Sequence, residues 1–412
     1  MPLRDNLNAS CIVRERWITH LIDLSQLSIH HISDKRGRAS MTSAERHYNR
    51  YLRRVAKRQS NKAKVLSQCG LFDKVFTFDN LYNAYKKSVL GVGWKASSQK
   101  FKNKAFYNVA QLYKQLHEGT YKSKGFYEFD IVERGKKRHI KSVHISERVV
   151  QRCLCDNCLI PILSKSFIYD NAASLKGKGI TFSRNRMVRH LTQYYLKNGH
   201  EGYILTFDFS KYFDNIDHEQ MKKIIRSSGM DERLEKLTFH FIDCFGDVGL
   251  GLGSQVSQIS ALALPNELDH YIKEQLHIKF YGRYMDDGYL IHKDKAYLVY
   301  CLEEIKSICS RLGIIINDKK TQIIRLKKGA IFLKVHYYLT ETGRIIKKYY
   351  KKNIVTMRRK LKTFKTWLGE KFTIEDIRTS FNSWMGFIKT QDAHRSIFKM
   401  CRLYSNLYGG LI

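Results

Sequence analysis

The stretch that decides the fold is YILTFDFSKYFDNID, residues 203–217. It opens with a predominantly apolar run, which predicts a β-strand buried on both faces. Asp208 ends this run, at a place where an ionised carboxylate is costly to bury unless a cation or hydrogen bonds neutralise it. The polar residues that follow indicate a turn and a helix cap. The stretch therefore predicts a buried strand that carries a carboxylate to its end.

A second pair of carboxylates stands in FYGRYMDDGYLIH, residues 280–292, which predicts a strand, a tight turn containing Asp286 and Asp287, and a second strand. Each acid taken alone has a structural alternative, since Asp-Gly favours hairpin turns and a strand-terminal Asp often caps a helix. Three carboxylates on apolar strands, however, are typical of sites that hold two Mg²⁺ ions about 3.5–4 Å apart. The sequence therefore predicts a magnesium site at Asp208, Asp286 and Asp287, with Mn²⁺ as the alternative metal.

A glycine-rich segment, GLGLGS at residues 249–254, lies between these two stretches and precedes a helix predicted over 255–277. Glycines at the start of a helix permit close backbone approach and leave amide groups available for phosphate. This pattern alone is a weak indication. Its position between the two carboxylate stretches makes it part of the predicted site.

The charge of the chain indicates a polyanionic partner. Its 412 residues carry 73 Lys and Arg against 38 Asp and Glu, a formal net charge of +35. Such an excess attracts polyanions and favours nucleic acid as the partner, with a solubilising lysine-rich surface as the alternative. Because 43% of the residues are hydrophobic and 12% aromatic, the composition excludes a disordered chain.

Secreted and membrane proteins are disfavoured. The first seventeen residues lack the apolar run of a signal peptide, and no stretch has about 18 consecutive apolar residues that would span a membrane. The chain has 9 cysteines, an odd number spread thinly, as expected in a reducing cytoplasm. Cys153, Cys155 and Cys158 are close in sequence, but their spacing in a helix-like run disfavours zinc. We expect a cytoplasmic protein without membrane contact.

The order of these stretches resembles the prokaryotic, non-retroviral reverse transcriptases. DFSKYFDNID (208–217), the segment from GLGLGS to NELD (249–269) and YMDD (284–287) resemble motifs A, B and C of that family, and the likeness extends over roughly residues 76–400. Segments that resemble the fingers hairpin with its helix, the fingers–palm junction, the lysine motif and the primer grip are RGKKRHIKSVHISERVVQ (134–151), DNAASLKGKG (170–179), LGIIINDKKTQI (312–323) and FLKVHYYL (332–339).

The resemblance implies an α+β right-hand polymerase with an antiparallel palm sheet. The segments it implies are a helical basic N-terminal extension over 1–75, fingers over 76–200, a palm over 201–340 with fingers helices partly interleaved, and a helical thumb over 341–412. Within the extension, basic residues over 46–64 are interleaved with Tyr48, Tyr51, Leu52 and Val55. This pattern predicts either a solvated helix face or a surface that contacts RNA.

The resemblance also implies roles for individual residues. Asp208, Asp286, Asp287 and the backbone carbonyl of Phe209 are the implied metal ligands. Lys320 matches the lysine thought to protonate pyrophosphate, with a solvated turn lysine as the alternative. The resemblance implies that Phe213 is the ring that excludes a ribose 2′-hydroxyl and that Arg138 is the fingers arginine that contacts the triphosphate. The other implied substrate contacts are three positions of motif B, Leu252, Gly253 and Gln258.

Three positions of motif B depart from the common family pattern. Gly251 and Gln258 each replace a proline, and Leu252 replaces a glutamine. The Ser-Gln form resembles reverse transcriptases of phage-defence systems, the unknown-group and abortive-infection enzymes, and of diversity-generating retroelements. Loss of the glutamine amide beside the incoming nucleotide predicts low fidelity. The fingers lysine of the family has no clear counterpart here, and Arg134 is its candidate replacement.

The function implied is the copying of a cognate structured non-coding RNA into cDNA, with dNTPs as substrates and an RNA–DNA heteroduplex as the bound product. Antiphage defence is the favoured role, and an accessory protein or a second copy of the chain is a further partner considered. The alternatives are a diversity-generating retroelement enzyme, template-independent or protein-primed DNA synthesis, an RNA-directed RNA polymerase, and an RNA-binding scaffold without catalysis.

Overall fold

The computed structural model describes residues 42–133 and 136–409, with the backbone alone at Glu133, Lys136 and Arg138. Predictions that fall on residues 1–41 and on Arg134 lie outside this part. Two units are distinguished, residues 1–64 and 65–412, and each is described by itself. The strands are β1 (Phe126–Glu133), β2 (Lys136–Val143), β3 (Tyr203–Asp208), β4 (Phe280–Tyr284), β5 (Asp287–His292), β6 (Gln322–Arg325), β7 (Ala330–Phe332), β8 (Val335–Leu339) and β9 (Ile345–Tyr349).

Helices make up most of the rest of the described chain. None of them is long and apolar enough to cross a membrane. They are α1 (Ser43–Cys69), α2 (Phe72–Val75), α3 (Phe78–Ser88), α4 (Ala96–Asn103), α5 (Ala105–His117), α6 (Ile145–Leu154), α7 (Ile160–Leu163), α8 (Ile180–Asn198), α9 (His218–Ser228), α10 (Glu232–Asp243), α11 (Gln255–Ala263), α12 (Asn266–Glu274), α13 (Lys295–Arg311), α14 (Lys351–Thr366), α15 (Ile374–Ile388) and α16 (His394–Tyr408).

The strand that decides the fold, β3, lies inside a four-stranded sheet with the order β4-β5-β3-β6. Each neighbouring pair is antiparallel. Successive side chains of a strand point to opposite faces, and here both faces are covered. Leu205 and Phe207 join the main core with helices such as α11 and α13, whereas Ile204 joins a second core with α8 and β8. The predicted antiparallel palm sheet is confirmed.

The helix predicted over 255–277 is in fact two helices, α11 and α12. Pro265 stands between them as the residue before α12. Because proline has no backbone N–H and its ring clashes with the preceding turn, a continuous α-helix cannot pass through it without a kink or break. A π-helical turn at Cys155–Leu159 likewise lies between α6 and α7.

The predicted fingers hairpin is confirmed, with β1 and β2 antiparallel and Phe129 opposite Ile140. Its two faces differ in chemistry. On one face His139 contacts Asp130 at 3.0 Å and Glu128 at 3.1 Å. The other face presents Phe129 and its apolar neighbours, which remain partly exposed. A two-stranded hairpin of this kind has an apolar face available to a substrate or partner.

The thumb consists of α14, α15 and α16 around their own core, next to a three-stranded sheet of order β7-β8-β9. Met357, Leu361 and Phe364 form the buried stripe of α14. α14 ends at Thr366, and Leu368, two residues beyond it, is 37% exposed. The exposed basic residues of the same helix are Lys351, Lys352, Arg358, Arg359, Lys360, Lys362 and Lys365.

Candidate active site

The three predicted carboxylates come together at one end of the palm sheet. Asp208 is the last residue of β3 and pairs directly with Asp287, the first residue of β5. Asp286 lies in the two-residue turn that joins β4 to β5, and its carbonyl accepts a hydrogen bond from the Phe209 amide at 3.1 Å. The turn therefore consists of Met285 and Asp286, and Asp287 belongs to the strand.

Lys320 also reaches this cluster. Its Nζ donates to Oδ2 of Asp208 at 2.6 Å, and the Asp208 side chain is only 8% exposed. Partial burial lowers the pKa of Lys320, but the hydrogen bond and the carboxylates outweigh this effect and raise it overall. Lys320 lies in a turn and its side chain is 55% exposed, so it is a solvated turn lysine that also pairs with the Asp208 carboxylate. Its predicted catalytic role stays a prediction.

Asn317 belongs to the same cluster, and the sequence reasoning missed it. Its Nδ2 donates to Oδ2 of Asp208 at 3.2 Å, and its backbone amide donates to the Asp208 carbonyl at 2.8 Å. A neighbouring backbone bridge joins Phe209 to Ile316. The available signal was a polar residue directly after the apolar run 314–316, a pattern that resembles the end of β3.

The carboxylates carry more negative charge than their surroundings neutralise. Burial, followed by the charges of Asp286 and Asp208, raises the pKa of Asp287 to about 7, and Lys320 offsets this only in part. Like charges held together in a partly desolvated site favour protonation or a bound cation. An acidic cluster of this kind is a typical candidate for a functional site.

The donor set suits Mg²⁺ with substrate phosphates better than a closed protein cage. Among residues 42–133 and 136–409, no three His, Cys, Asp or Glu side chains are arranged to hold a metal by themselves. Lys320 and Asn317 both donate hydrogen bonds to Oδ2 of Asp208. Mg²⁺ usually takes one or two protein carboxylates and completes its shell with water and phosphate oxygens. The Phe209 ring is 2% exposed in the core, so its backbone is the part that faces the cluster.

The turn after β3 is held against the glycine-rich loop. Phe213 lies in a 3₁₀ turn, partly buried, and its carbonyl accepts from the Leu250 amide at 2.7 Å. The Gly249 amide donates to the Ile216 carbonyl at 2.9 Å. A Cβ at Gly249 would lie 2.8 Å from the Asp214 carbonyl oxygen, so only glycine permits this approach. Motifs A and B are therefore fixed to one another through backbone contacts.

The same loop meets the fingers hairpin. A Cβ at Gly253 would lie 2.6 Å from the Lys141 carbonyl oxygen of β2, which places this glycine directly against the hairpin. Ser254 then caps α11 and donates its hydroxyl to Oε1 of Gln151 at 3.0 Å. Leu252 and Gln258 are both partly exposed beside this contact.

For one predicted substrate contact, Arg138, the structure describes only the backbone. Arg138 lies on β2 opposite Ile131, while its side chain lies outside the described part of the chain. The backbone position puts it on the same strand as Lys141, which contacts the glycine-rich loop. Its predicted contact with triphosphate stays a prediction.

A basic trough lies at the base of the fingers hairpin. It comprises two cavities of about 480 and 740 Å³ that share four lining residues, Ser97, Lys124, His144 and Ile145. Of the described residues that line them, none is acidic, and the basic ones beside Lys124 are Lys95, Lys100, Lys122 and Arg148. We call this pair of cavities the fingers trough.

Comparison with known proteins is consistent with this geometry. Residues 122–337, just over half of the chain, match the family described as Reverse transcriptase (RNA-dependent DNA polymerase). The matched region includes the fingers hairpin, the three carboxylates and Lys320. The chain therefore belongs to the reverse transcriptase family, and the predicted enzyme class, an RNA-directed DNA polymerase domain, is confirmed.

The solved structures to which the chain is similar include telomerases. Apo telomerase from Candida Tropicalis truncated from its C-terminal domain gives a TM-score of 0.43 at 13% identity, covering 54% of this chain and 55% of that one. Telomerase from Candida albicans in complex with a TWJ fragment of telomeric RNA gives 0.45 at 13% identity, covering 69% and 60%. This chain thus spans little more than half the length of these structures. No curated protein matches it.

Proposed function

We propose that this protein is an RNA-directed DNA polymerase that copies a cognate structured RNA into cDNA with two divalent cations. The observation that carries the proposal is the cluster of Asp208, Asp286, Asp287 and Lys320 at one end of the palm sheet. In the reaction the primer 3′-hydroxyl releases its proton to water as its oxygen attacks the α-phosphorus of a dNTP. The new P–O bond replaces the bond to pyrophosphate, which leaves.

The three aspartates and the Phe209 carbonyl are the proposed metal ligands. Bound Mg²⁺ would supply charge stabilisation for the attacking and leaving oxygens. Lys320, whose Nζ donates to Oδ2 of Asp208 at 2.6 Å, is proposed to donate a proton to the departing pyrophosphate. General acid catalysis of this kind contributes about 10²–10⁴-fold to a rate.

Phe213 is proposed to exclude the ribose 2′-hydroxyl. Phe213 lies one turn beyond Asp208, and the hydrogen bond from the Leu250 amide fixes its backbone. This fixed backbone supports a ring that keeps a constant position relative to Asp208. Phe213→Ala should therefore raise ribonucleotide incorporation relative to dNTP incorporation by at least about tenfold, since a rigid steric contact is worth about 1–3 kcal/mol. Competition between labelled NTPs and dNTPs on one template measures this ratio. An unchanged ratio in an active variant would remove Phe213 from this role.

The template strand is proposed to enter over the fingers trough and the duplex to lie against α14. A groove lined by lysines without carboxylates suits a phosphate backbone, and Tyr127 and Phe129 beside it offer rings for base stacking. The exposed lysines and arginines of α14 suit the phosphates of an RNA–DNA duplex, which proteins recognise by shape. These contacts support RNA as the partner. The Ser-Gln form of motif B is common to the defence and diversity-generating enzymes, and antiphage defence is the role we propose because of the long basic segment over residues 1–75.

The test is DNA synthesis by the purified protein with its co-purifying RNA, Mg²⁺ and labelled dNTPs. The inactive comparison is Asp286→Ala/Asp287→Ala, and Glu303→Ala, an exposed carboxylate of α13, is the matched control. The proposal is supported if only the unsubstituted protein and the control make DNA complementary to the RNA, and if RNase treatment beforehand abolishes this synthesis. DNA made without RNA indicates template-independent synthesis, and bound RNA without any product indicates a scaffold.

A further inference from the structure

The turn that carries Asp286 and leads into Asp287 has an unusual backbone conformation. Met285, its first residue, has φ of 57°. A non-glycine residue in this left-handed region costs about 1–2 kcal/mol, since its Cβ crowds the following carbonyl. Such a residue persists where its surroundings fix it. The side chain of Arg283 contacts the Met285 carbonyl.

Arg283, two residues earlier on β4, holds this turn from below. Its Nη1 donates to the Met285 carbonyl at 2.8 Å. Its Nη2 donates to the Leu262 carbonyl of α11 at 3.1 Å. The side chain is 0% exposed, so the guanidinium lies wholly in the protein interior. One arginine therefore joins the turn of motif C to the helix that follows the glycine-rich loop.

Asp269 of α12 holds the guanidinium in this orientation. Its two oxygens accept from Nε at 2.8 Å and from Nη2 at 2.7 Å, and it too is 0% exposed. Tyr281 adds a hydrogen bond from its hydroxyl to Oδ1 of Asp269 at 2.6 Å. A two-point contact of this kind fixes the guanidinium plane, which a single contact to a lysine would not do.

Stability alone is a poor reason for such a pair. The cost of desolvating two charges is often as large as their attraction, so apolar residues of similar volume usually serve the core equally well. The arginine here also gives one of its donors to the left-handed turn, and no apolar residue can replace that contact. The arrangement is therefore better matched to orientation than to stabilisation.

We propose that Arg283 and Asp269 are positioning residues that set the Met285–Asp286 turn and thereby hold Asp286 and Asp287 in register with Asp208. Neither residue touches substrate. The inference rests on the proposed function, because the quantity it controls is the geometry of the proposed metal ligands. It adds two residues, one on β4 and one on α12, to those that determine the rate of DNA synthesis.

The main variant is Asp269→Leu/Tyr281→Phe/Arg283→Met, which replaces the whole polar group by apolar side chains. We expect it to fold, to keep its KM for dNTP within about threefold, and to lose about 100-fold in kcat, since a displacement of about 1 Å can cost that much. Tyr281→Phe is the matched control, because it removes one hydrogen bond from Asp269 and leaves the Met285 contact intact. The proposal is overturned if the triple variant folds and keeps the control's kcat.

Arg283→Lys decides the question if the triple variant does not fold. Lysine keeps a positive charge opposite Asp269 but cannot bridge Asp269 and the Met285 carbonyl with a fixed plane. We expect a folded protein with at least tenfold lower kcat, in accord with loss of one oriented contact. Full activity in Arg283→Lys would reduce the pair to a structural role.

A readout without catalysis separates this inference from the proposed function. The Phe209 amide donates to the Asp286 carbonyl, so its hydrogen exchange reports whether the turn is in place. We expect faster exchange at Phe209 in the triple variant and in Arg283→Lys than in Tyr281→Phe. If the unsubstituted protein makes no DNA, the proposed function fails while this comparison still stands. Equal exchange rates in all three variants would overturn the positioning role.

Discussion

Two carboxylates of the palm, Asp287 and Asp269, differ in how their charge is compensated. Asp269 is 0% exposed and receives two hydrogen bonds from Arg283 and one from Tyr281. Asp287 is partly buried opposite Asp208 and beside Asp286, and Lys320 offsets their charges only in part. The first acid is satisfied within the fold, whereas the second leaves a need for positive charge that a metal can meet.

This difference separates two uses of the same residue type. A fully compensated carboxylate fixes the relative position of β4 and α12. An uncompensated one destabilises the cluster it belongs to, and natural proteins retain such clusters where function requires them. The two substitutions to asparagine, which remove a charge and keep the shape, should therefore shift stability in opposite directions.

The largest effect is expected at Asp287→Asn. DNA synthesis should fall by about 10³-fold or more, because a lost metal contact removes several kcal/mol of transition-state stabilisation. The free energy of unfolding in the presence of EDTA should instead rise by about 1 kcal/mol, since one of three crowded negative charges is removed. Urea denaturation and primer extension measure the two quantities. Glu303→Gln should change neither, and a destabilised Asp287→Asn would contradict the electrostatic account.

The next largest effect is the loss of stability at Asp269→Asn. The guanidinium of Arg283 would remain buried without its counter-charge, which lowers the free energy of unfolding by about 3 kcal/mol. Urea denaturation at neutral pH measures this loss. The matched comparison is Asp287→Asn, which removes the same charge from the uncompensated group. If both substitutions change stability equally, the contrast between the two carboxylates is wrong.

Lys320→Met tests the ammonium group that neutralises the carboxylate cluster only in part. Because Lys320 both neutralises Asp208 and is the proposed proton donor, its loss should lower kcat by about 100-fold. Binding of Mn²⁺, followed by electron paramagnetic resonance, should become tighter, since the competing ammonium is gone. If Lys320 had only a structural role, its replacement would weaken Mn²⁺ binding and DNA synthesis together. Lys319→Met, an exposed neighbour, is the control.

The sequence predicted the strands and their carboxylates because a strand buried on both faces appears as an apolar run, and an acid at its end stands out. It located Asp286 and Asp287 in the turn because Asp-Gly favours that place. The structure instead begins β5 at Asp287, since pairing with Asp208 sets the register. Tertiary pairing thus overrode a local turn preference.

The buried polar residues were harder to find. Arg283 stands in an apolar strand as a single charge, and its partner Asp269 lies on a helix that was predicted as one continuous element through Pro265. Nothing local connects the two positions. Asn317 was missed for the same reason, since its contact with Asp208 joins residues 109 positions apart. Charged groups on apolar elements indicate buried pairs, but their partners become visible only in the fold.

The smallest effect concerns a third carboxylate, Asp170, which extends the comparison to pH. Burial alone would raise the pKa of Asp170, but hydrogen bonds from His190 and Arg186 outweigh it and hold the pKa well below its usual range. A carboxyl with a depressed pKa in the folded state stabilises the protein above its unfolded pKa of about 4 and loses that contribution as the pH falls. Asp170→Asn should therefore cost about 2 kcal/mol at pH 7, as expected for hydrogen bonds to a charged group. The cost should shrink towards pH 3.

Urea denaturation of both proteins at several pH values measures this difference. The expected result is two stability curves that converge as the pH falls below about 4, since Asp170 then takes up a proton in the unfolded chain while its folded form stays ionised. Asp287→Asn provides the case of opposite sign, because it should raise the free energy of unfolding at neutral pH. This increase should disappear in acid, where protonation removes the crowded charges of the unsubstituted cluster. Two curves that stay parallel for Asp170→Asn would mean that its partners act through packing. The distinction between compensated and uncompensated carboxylates would then apply only to Asp269 and to the cluster of Asp208, Asp286 and Asp287.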